Sequence, residues 1–201
     1  MKDNSKKKWT WVVAACLLTA MLLLLLVRCD GTDSDKPTLK VETPQKISAT
    51  NTKEFALDVT ISSLGEARYP AMSMSVNFDV SRLEFLGVEE GNVFILDEGN
   101  TSGQRLPDWS CNVQSSNAAG RINVMYLDMT GGKHAFHKDL LAEEHNVVLR
   151  LKFRLRGSVR PGDVLDLTLE DAVFAASDEA ESLAMTTKTL DTKNGRLVIG
   201  E

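Results

Sequence analysis

The chain has 201 residues, 43% hydrophobic and 25% charged, a balance that fits one folded domain with an appendage and excludes a disordered chain. The formal net charge of −5 is unevenly divided: in residues 1–28, Lys2, Lys6, Lys7, Lys8 and Arg28 face only Asp3, leaving +4 there and −9 on the remainder. An acidic body lacks the positive surface that nucleic acid requires, and three irregularly spaced cysteines exclude a disulfide scaffold or a zinc ribbon.

Residues 9–27 (WTWVVAACLLTAMLLLLLV) contain no charge. At 1.5 Å per residue they reach roughly 28 Å as a helix, about the thickness of a bilayer's hydrocarbon core. Lys6, Lys7 and Lys8 precede the run, and Asp30, Asp33 and Asp35 follow it. The positive-inside rule then places a short basic stub in the cytoplasm and the body outside. This predicts a single-pass signal-anchor over 1–28 and an extracytoplasmic body at the cell membrane. Two alternatives stay open: a cleaved signal peptide, and a lipoprotein modified at Cys29. Residues 29–37 (CDGTDSDKP) form a polar linker. Cys16 lies within the apolar run. Cys111 is expected to be free and partly buried, although pairing with Cys29 is chemically open in an oxidising compartment.

From Thr38 onward the period is two. Phe55, Leu57, Val59 and Ile61 alternate with polar or small residues, as do Met72, Met74, Val76 and Phe78. The same holds for Val147 to Leu155 on odd numbers, and for Leu165, Leu167 and Leu169. Each such segment reads as a strand with one buried and one wet face. Further strands are predicted at 38–43, 83–88, 93–96, 109–113, 121–127, 172–175 and 195–199, some of them merged or bulged. Turn formers separate them at 63–65, 100–103, 117–120, 131–132, 160–162 and 194–195. Many short strands at this spacing predict an all-β sandwich or jelly roll. One short helix is predicted at 134–145 (HAFHKDLLAEEH).

Catalytic motifs are missing: there is no G-x-S-x-G, phosphate-binding loop, dinucleotide fingerprint or H-E-x-x-H. His134 and His137 would share a face of the predicted helix, with Asp139 near, but no fuller ligand set accompanies them, and solvated loop histidines are the plainer reading. Acidic pairs such as Glu89-Glu90 and Glu143-Glu144 are not placed across any cleft by the sequence. Asp30, Asp33 and Asp35 do not match a calcium loop. The sequence therefore calls for no catalytic residue, no metal and no cofactor. Trp109, the only Trp of the body, reads as core or partly buried rather than as a sugar platform.

Five segments carry a family resemblance. They are 76–88 (VNFDVSRLEFLGV), 120–128 (GRINVMYLD), 147–156 (VVLRLKFRLR), 169–175 (LEDAVFA) and 194–199 (NGRLVI). In this order, across about 38–200, they resemble the cohesin domain of cellulosomes. The resemblance implies a nine-stranded jelly-roll β-sandwich that is not an enzyme but holds dockerin modules, often borne on polysaccharide-degrading enzymes. The dockerin, not the cohesin, would carry any calcium. A carbohydrate-binding module of the same sandwich, binding polysaccharide, is the neighbouring alternative, and a structural or adhesive envelope domain is a third. Carried over by alignment, the protein-binding face comprises Ala71, Ser73, Ser75 and Asn77 on one strand. It adds Val124, Tyr126 and Asp128 turned outward on the next, then Gly132, and Thr168 beside Glu170. Many cohesins have Asp where this chain has Ser73, so the familiar dockerin specificity does not transfer. Tyr126 is expected as a central anchor of this face, and Phe78 as a core residue. The segment 97–118 is expected to remodel one edge of the face.

Overall fold

A computed structural model describes residues 36–44 and 46–201. The predicted anchor at 9–27, most of the predicted linker, and Cys16 and Cys29 lie outside the described residues. Among those described, no helix is long and apolar enough to cross a membrane.

The strands run in chain order β1 (Thr38–Val41), β2 (Ile47–Ser48), β3 (Phe55–Ile61), β4 (Ala71–Asn77), β5 (Leu83–Glu90), β6 (Ile95–Leu96), β7 (Gln104–Arg105) and β8 (Ser110–Cys111). A short helix α1 (Val113–Ala119) follows, then β9 (Arg121–Leu127), β10 (Val147–Leu155), β11 (Val164–Ala175), β12 (Asp191–Lys193) and β13 (Gly195–Gly200). They build a five-stranded sheet, β12-β1-β3-β10-β5, and a six-stranded sheet, β2-β13-β11-β4-β9-β8, with β6 and β7 pairing apart. The fold is thus a β-sandwich. The strands exceed the expected nine, and β2, β7 and β12, of two or three residues each and too short to show a period, are the ones that the sequence pattern did not indicate.

The inner faces carry the alternating apolar residues. Leu57, Val59, Leu149, Leu151 and Phe153 of one sheet meet Met72, Met74, Val76, Leu165 and Leu167 of the other, all buried. Aromatic rings cluster at both ends. Phe78, Phe85 and Phe153 pack with centroids 5.5–6.4 Å apart at one end. Tyr69, Tyr126, Phe136 and Phe174 do so at 5.4–6.0 Å at the other. Phe78 points inward, as its phase predicts.

Two expectations are corrected. The stretch 134–145 is no helix beyond one 3-10 turn at Lys138–Leu140. Ala135 and Phe136 are wholly buried, and their carbonyls accept from Leu96 and Tyr69, so the chain crosses the core extended. His134 and His137 therefore share no helix face. Second, 117–120 is not a turn between strands but the end of α1. Asn112 caps its start by accepting from the Ser115 N–H at 2.9 Å, and Gly120 closes it at φ 68°. The segments 165–169 and 172–175 are merged into one bulged strand, β11, as the sequence reading allowed, with a register shift between Glu170 and Val173. Asp171 sits at the shift with φ 51°. The extra residue restores the inward phase of Ala172 and Phe174.

The segment 97–119 closes the gap between β5 and β9. Asn117 does the work of a strand there: its side chain accepts from the Phe85 N–H (2.9 Å) and donates to the Phe85 carbonyl (2.7 Å). The edge of β5 is thereby covered at that residue.

Candidate functional site: the outer face of the six-stranded sheet

The two outer faces differ in chemistry. On the five-stranded sheet, Arg150 pairs with Asp58 (3.0 Å), Lys152 with Glu89 and Glu54 (3.0 and 3.3 Å), and Arg154 with Glu54 and Glu84 (3.1 and 3.6 Å). A partner docking there would have to desolvate a lattice of charges that already satisfy one another.

The outer face of the six-stranded sheet is built from small and apolar side chains in rows. β4 lies between β11 and β9, and the register sets Ala175, Ala71 and Leu127 in one row and Val173, Ser73 and Met125 in the next. Glu170, Ser75 and Asn123 form the third row, and Thr168, Asn77 and Arg121 the fourth. Ser110 of β8 extends the Met125 row. The face grades from apolar at the Leu127 end to ionic at the Arg121 end. Six residues of strand, about 20 Å, separate the two. A shallow groove lined by Ser73, Ser75, Ser110, Asn123 and Met125 crosses its centre.

Ala71, Ser73, Asn77, Thr168 and Glu170 occupy the outer face as expected. Ser75 has the outward phase but is covered: it is buried, and its hydroxyl donates to Asn123 Oδ1 at 2.8 Å. The outward placement of Val124, Tyr126 and Asp128 is wrong. Val124 and Tyr126 are buried, at 2% and 4% exposure, and β9 presents Arg121, Asn123, Met125 and Leu127 instead. Both faces of β9 carry apolar residues, so apolarity could not fix the phase. The polar pair Arg121 and Asn123, set against Ile122 and Val124, is the signal that does. Met125 (47% exposed), Leu127 (51%) and Met129 (84%) are exposed large apolar side chains that the sequence reading did not name.

Tyr126 acts from below. Its hydroxyl donates to the His134 carbonyl at 3.1 Å, and Trp109 and Phe136 pack on its ring. Burial first, then the neighbouring Asp128 carboxylate, pushes the phenol pKa up to about 12. Trp109 is partly buried against the core, as its reading predicted, and its buried Nε1–H has no protein acceptor.

Asp128 organises the loop that carries Met129. Its side chain has no exposed surface. One oxygen accepts from the Thr130 N–H (2.8 Å) and hydroxyl (2.6 Å), and the other from the N–H groups of Gly132 (2.6 Å) and His134 (3.4 Å). Burial raises the carboxyl pKa, but these hydrogen bonds outweigh it and hold the group below its ordinary range. Gly131 and Gly132 take φ 80° and 88°, which the turn back to Asp128 requires and which only glycine adopts at little cost. Gly132 thus serves by shaping this loop. The His134 ring bridges the loop to its neighbour, with Nε2 3.1 Å from Asp97 and Nδ1 3.5 Å from Asp128. Met129 is held out by a built turn. Among the described residues, no group of three or more metal-type ligands converges, and Cys111 is a free thiol whose pKa burial raises.

Sequence comparison finds no matching family model and no matching curated protein. Structural comparison finds solved cohesins. The Coh-OlpA–Doc918 type I cohesin–dockerin complex of Clostridium thermocellum matches with a TM-score of 0.59 and 17% identity, over 82% of this chain and 99% of that one. The third ScaC cohesin of Acetivibrio cellulolyticus, solved with the ScaB dockerin, matches with a TM-score of 0.58 and 13% identity, over 82% and 99%. The Coh-OlpC–Doc435 complex of Clostridium thermocellum gives a TM-score of 0.58 and 16% identity, over 82% and 94%. The body therefore has the cohesin fold.

Proposed function

We propose that this chain is a non-catalytic protein-binding module that captures a dockerin-like module on the outer face of its six-stranded sheet. The observation that carries this reading is the display of Met125 and Leu127 on the sheet, and of Met129 on the loop that follows β9, beside small polar side chains. Exposed apolar side chains within a polar surround are the composition of a docking surface. Support comes also from the fold, since neighbours that share it were solved in complex with dockerins. The apolar run at 9–27 would tether the module to the membrane with its body outside the cell, raising the local concentration of whatever it holds.

A carbohydrate-binding module would need a row of exposed aromatic rings. Among the described residues, the large apolar side chains left exposed are Met125, Leu127, Met129 and Leu183, none of them aromatic. That observation favours a protein partner over polysaccharide.

The test is capture from secreted proteins of the source organism by the immobilised full chain, with calcium and with EDTA. Recovery of dockerin-bearing proteins only with calcium is the expected result, because calcium would act through the partner. Recovery of polysaccharide alone, or of nothing, would overturn the assignment while leaving the fold intact.

A further inference from the structure

One side chain crosses the face from β9 over β4 to β11. Arg121 begins β9, yet its guanidinium reaches over β4 to β11. Nη1 donates to Asn77 Oδ1 at 3.1 Å and to Glu170 Oε2 at 2.8 Å, and Nη2 donates to Asp171 Oδ2 at 2.5 Å. β9 and β11 are separated by β4, so the reach covers two inter-strand spacings, about 9–10 Å. The long planar fork of arginine suits that span and its several acceptors; the single point charge of lysine does not. Asp171 is available only because the β11 bulge pushes it out of the strand's alternation.

This arrangement alters what the ionic end of the face can recognise. Glu170 and Asp171 alone would be a ready acceptor for a partner's lysine or arginine. Arg121 laid between them offsets one of the two negative charges and occupies their acceptor oxygens, so an incoming cation gains less there than two bare carboxylates would give it. We propose that Arg121 is a specificity-determining residue: by pairing with Glu170 and Asp171 it weakens the attraction of this end of the face for partners that present a basic side chain here, and leaves affinity to the apolar end. The fitting partner sets a neutral polar side chain over Arg121 and aliphatic side chains over Met125, Leu127 and Met129. This inference rests on the reading of the face as protein-binding.

The test compares the full chain, Arg121→Gln and the triple variant R121Q/E170Q/D171N. Each is passed over a panel of purified, calcium-loaded dockerin modules at about 50 and about 300 mM NaCl, conditions between which screening of exposed charges changes substantially. Removing Arg121 is expected to recruit dockerins that the natural chain rejects. The recruited ones are expected to bind at least about 10-fold more weakly at the higher salt, as an attraction to exposed carboxylates requires. The triple variant, which has no free carboxylates at this point, is expected to lose them again. Retention of the same set by the natural chain and by Arg121→Gln, at both salts, would overturn the role of Arg121 and leave the binding face standing. Retention of nothing by either protein would overturn the binding face as well.

Discussion

Tyr126 separates binding from support at the level of one residue. Its ring is buried under the face, so Tyr126→Ala removes core volume, not a contact with a partner. The expected cost is about 3–5 kcal/mol of stability, read as a fall in denaturation midpoint. Tyr126→Phe keeps the ring and loses one hydrogen bond to the His134 carbonyl, about 1 kcal/mol. The phenol's folded pKa of about 12 lies above its ordinary value of 10.0, so the neutral form is favoured in the fold. That stability is fully present below pH 10 and is lost as pH rises towards 12, and Tyr126→Phe is expected to flatten this alkaline limb. An unchanged limb would mean that the phenol is solvated. Asp128 has the opposite sign. Its pKa is depressed, so its contribution is present above the unfolded carboxylate value and is lost as pH falls through the folded one. Asp128→Asn is expected to cost about 1.5–3 kcal/mol near neutrality, the range for hydrogen bonds to a charged group. It should also remove part of the acid limb of a stability–pH profile.

The strands were legible where one face is apolar and the other polar. β3, β4, β10 and most of β11 satisfy that condition, and their residues fall where the period places them. β9 does not: Met125 and Leu127 are apolar on the wet side, which is what a binding face needs and what erases the amphipathic signal. The same feature reduced the signal of the strand's orientation to the polar pair Arg121 and Asn123. The stretch 134–145 failed for another reason. Helix-forming residues there are overridden by the burial of Ala135 and Phe136 and by their backbone pairing with distant residues, contacts that no local pattern reports. Helix α1 had a local sign, Asn112 as cap and Gly120 as terminator, within a segment otherwise rich in turn formers. Its role is non-local, because Asn117 occupies both backbone groups of Phe85. Asn117→Ala leaves a buried N–H and C=O unpaired, with an expected loss of about 2 kcal/mol and faster amide exchange at Phe85. Protection of that amide equal to the natural chain's would show that another group covers the edge.

Across the whole molecule, the two sheets share a core but not a surface chemistry. The five-stranded sheet turns a self-paired ionic lattice to solvent, whereas the six-stranded sheet turns out small polar and aliphatic groups. The sequence pattern supplied the sandwich, and the family resemblance the β4 and β11 positions of the face. The full face exists only once register aligns Ala71 with Leu127 and Ser73 with Met125. Leu127→Asp places a charge at the centre of the proposed apolar contact without touching the core, whereas Thr60→Asp, on β3 of the other sheet, provides the control. The decisive measurement is calorimetric titration of both variants and the natural chain with a calcium-loaded dockerin captured by it. The account predicts that Leu127→Asp weakens binding by about 2 kcal/mol or more, the loss typical of a central contact, with melting temperature unchanged and Thr60→Asp binding as the natural chain does. Equal affinity of Leu127→Asp and the natural chain, or a loss confined to Thr60→Asp, would contradict the placement of the binding face on the six-stranded sheet.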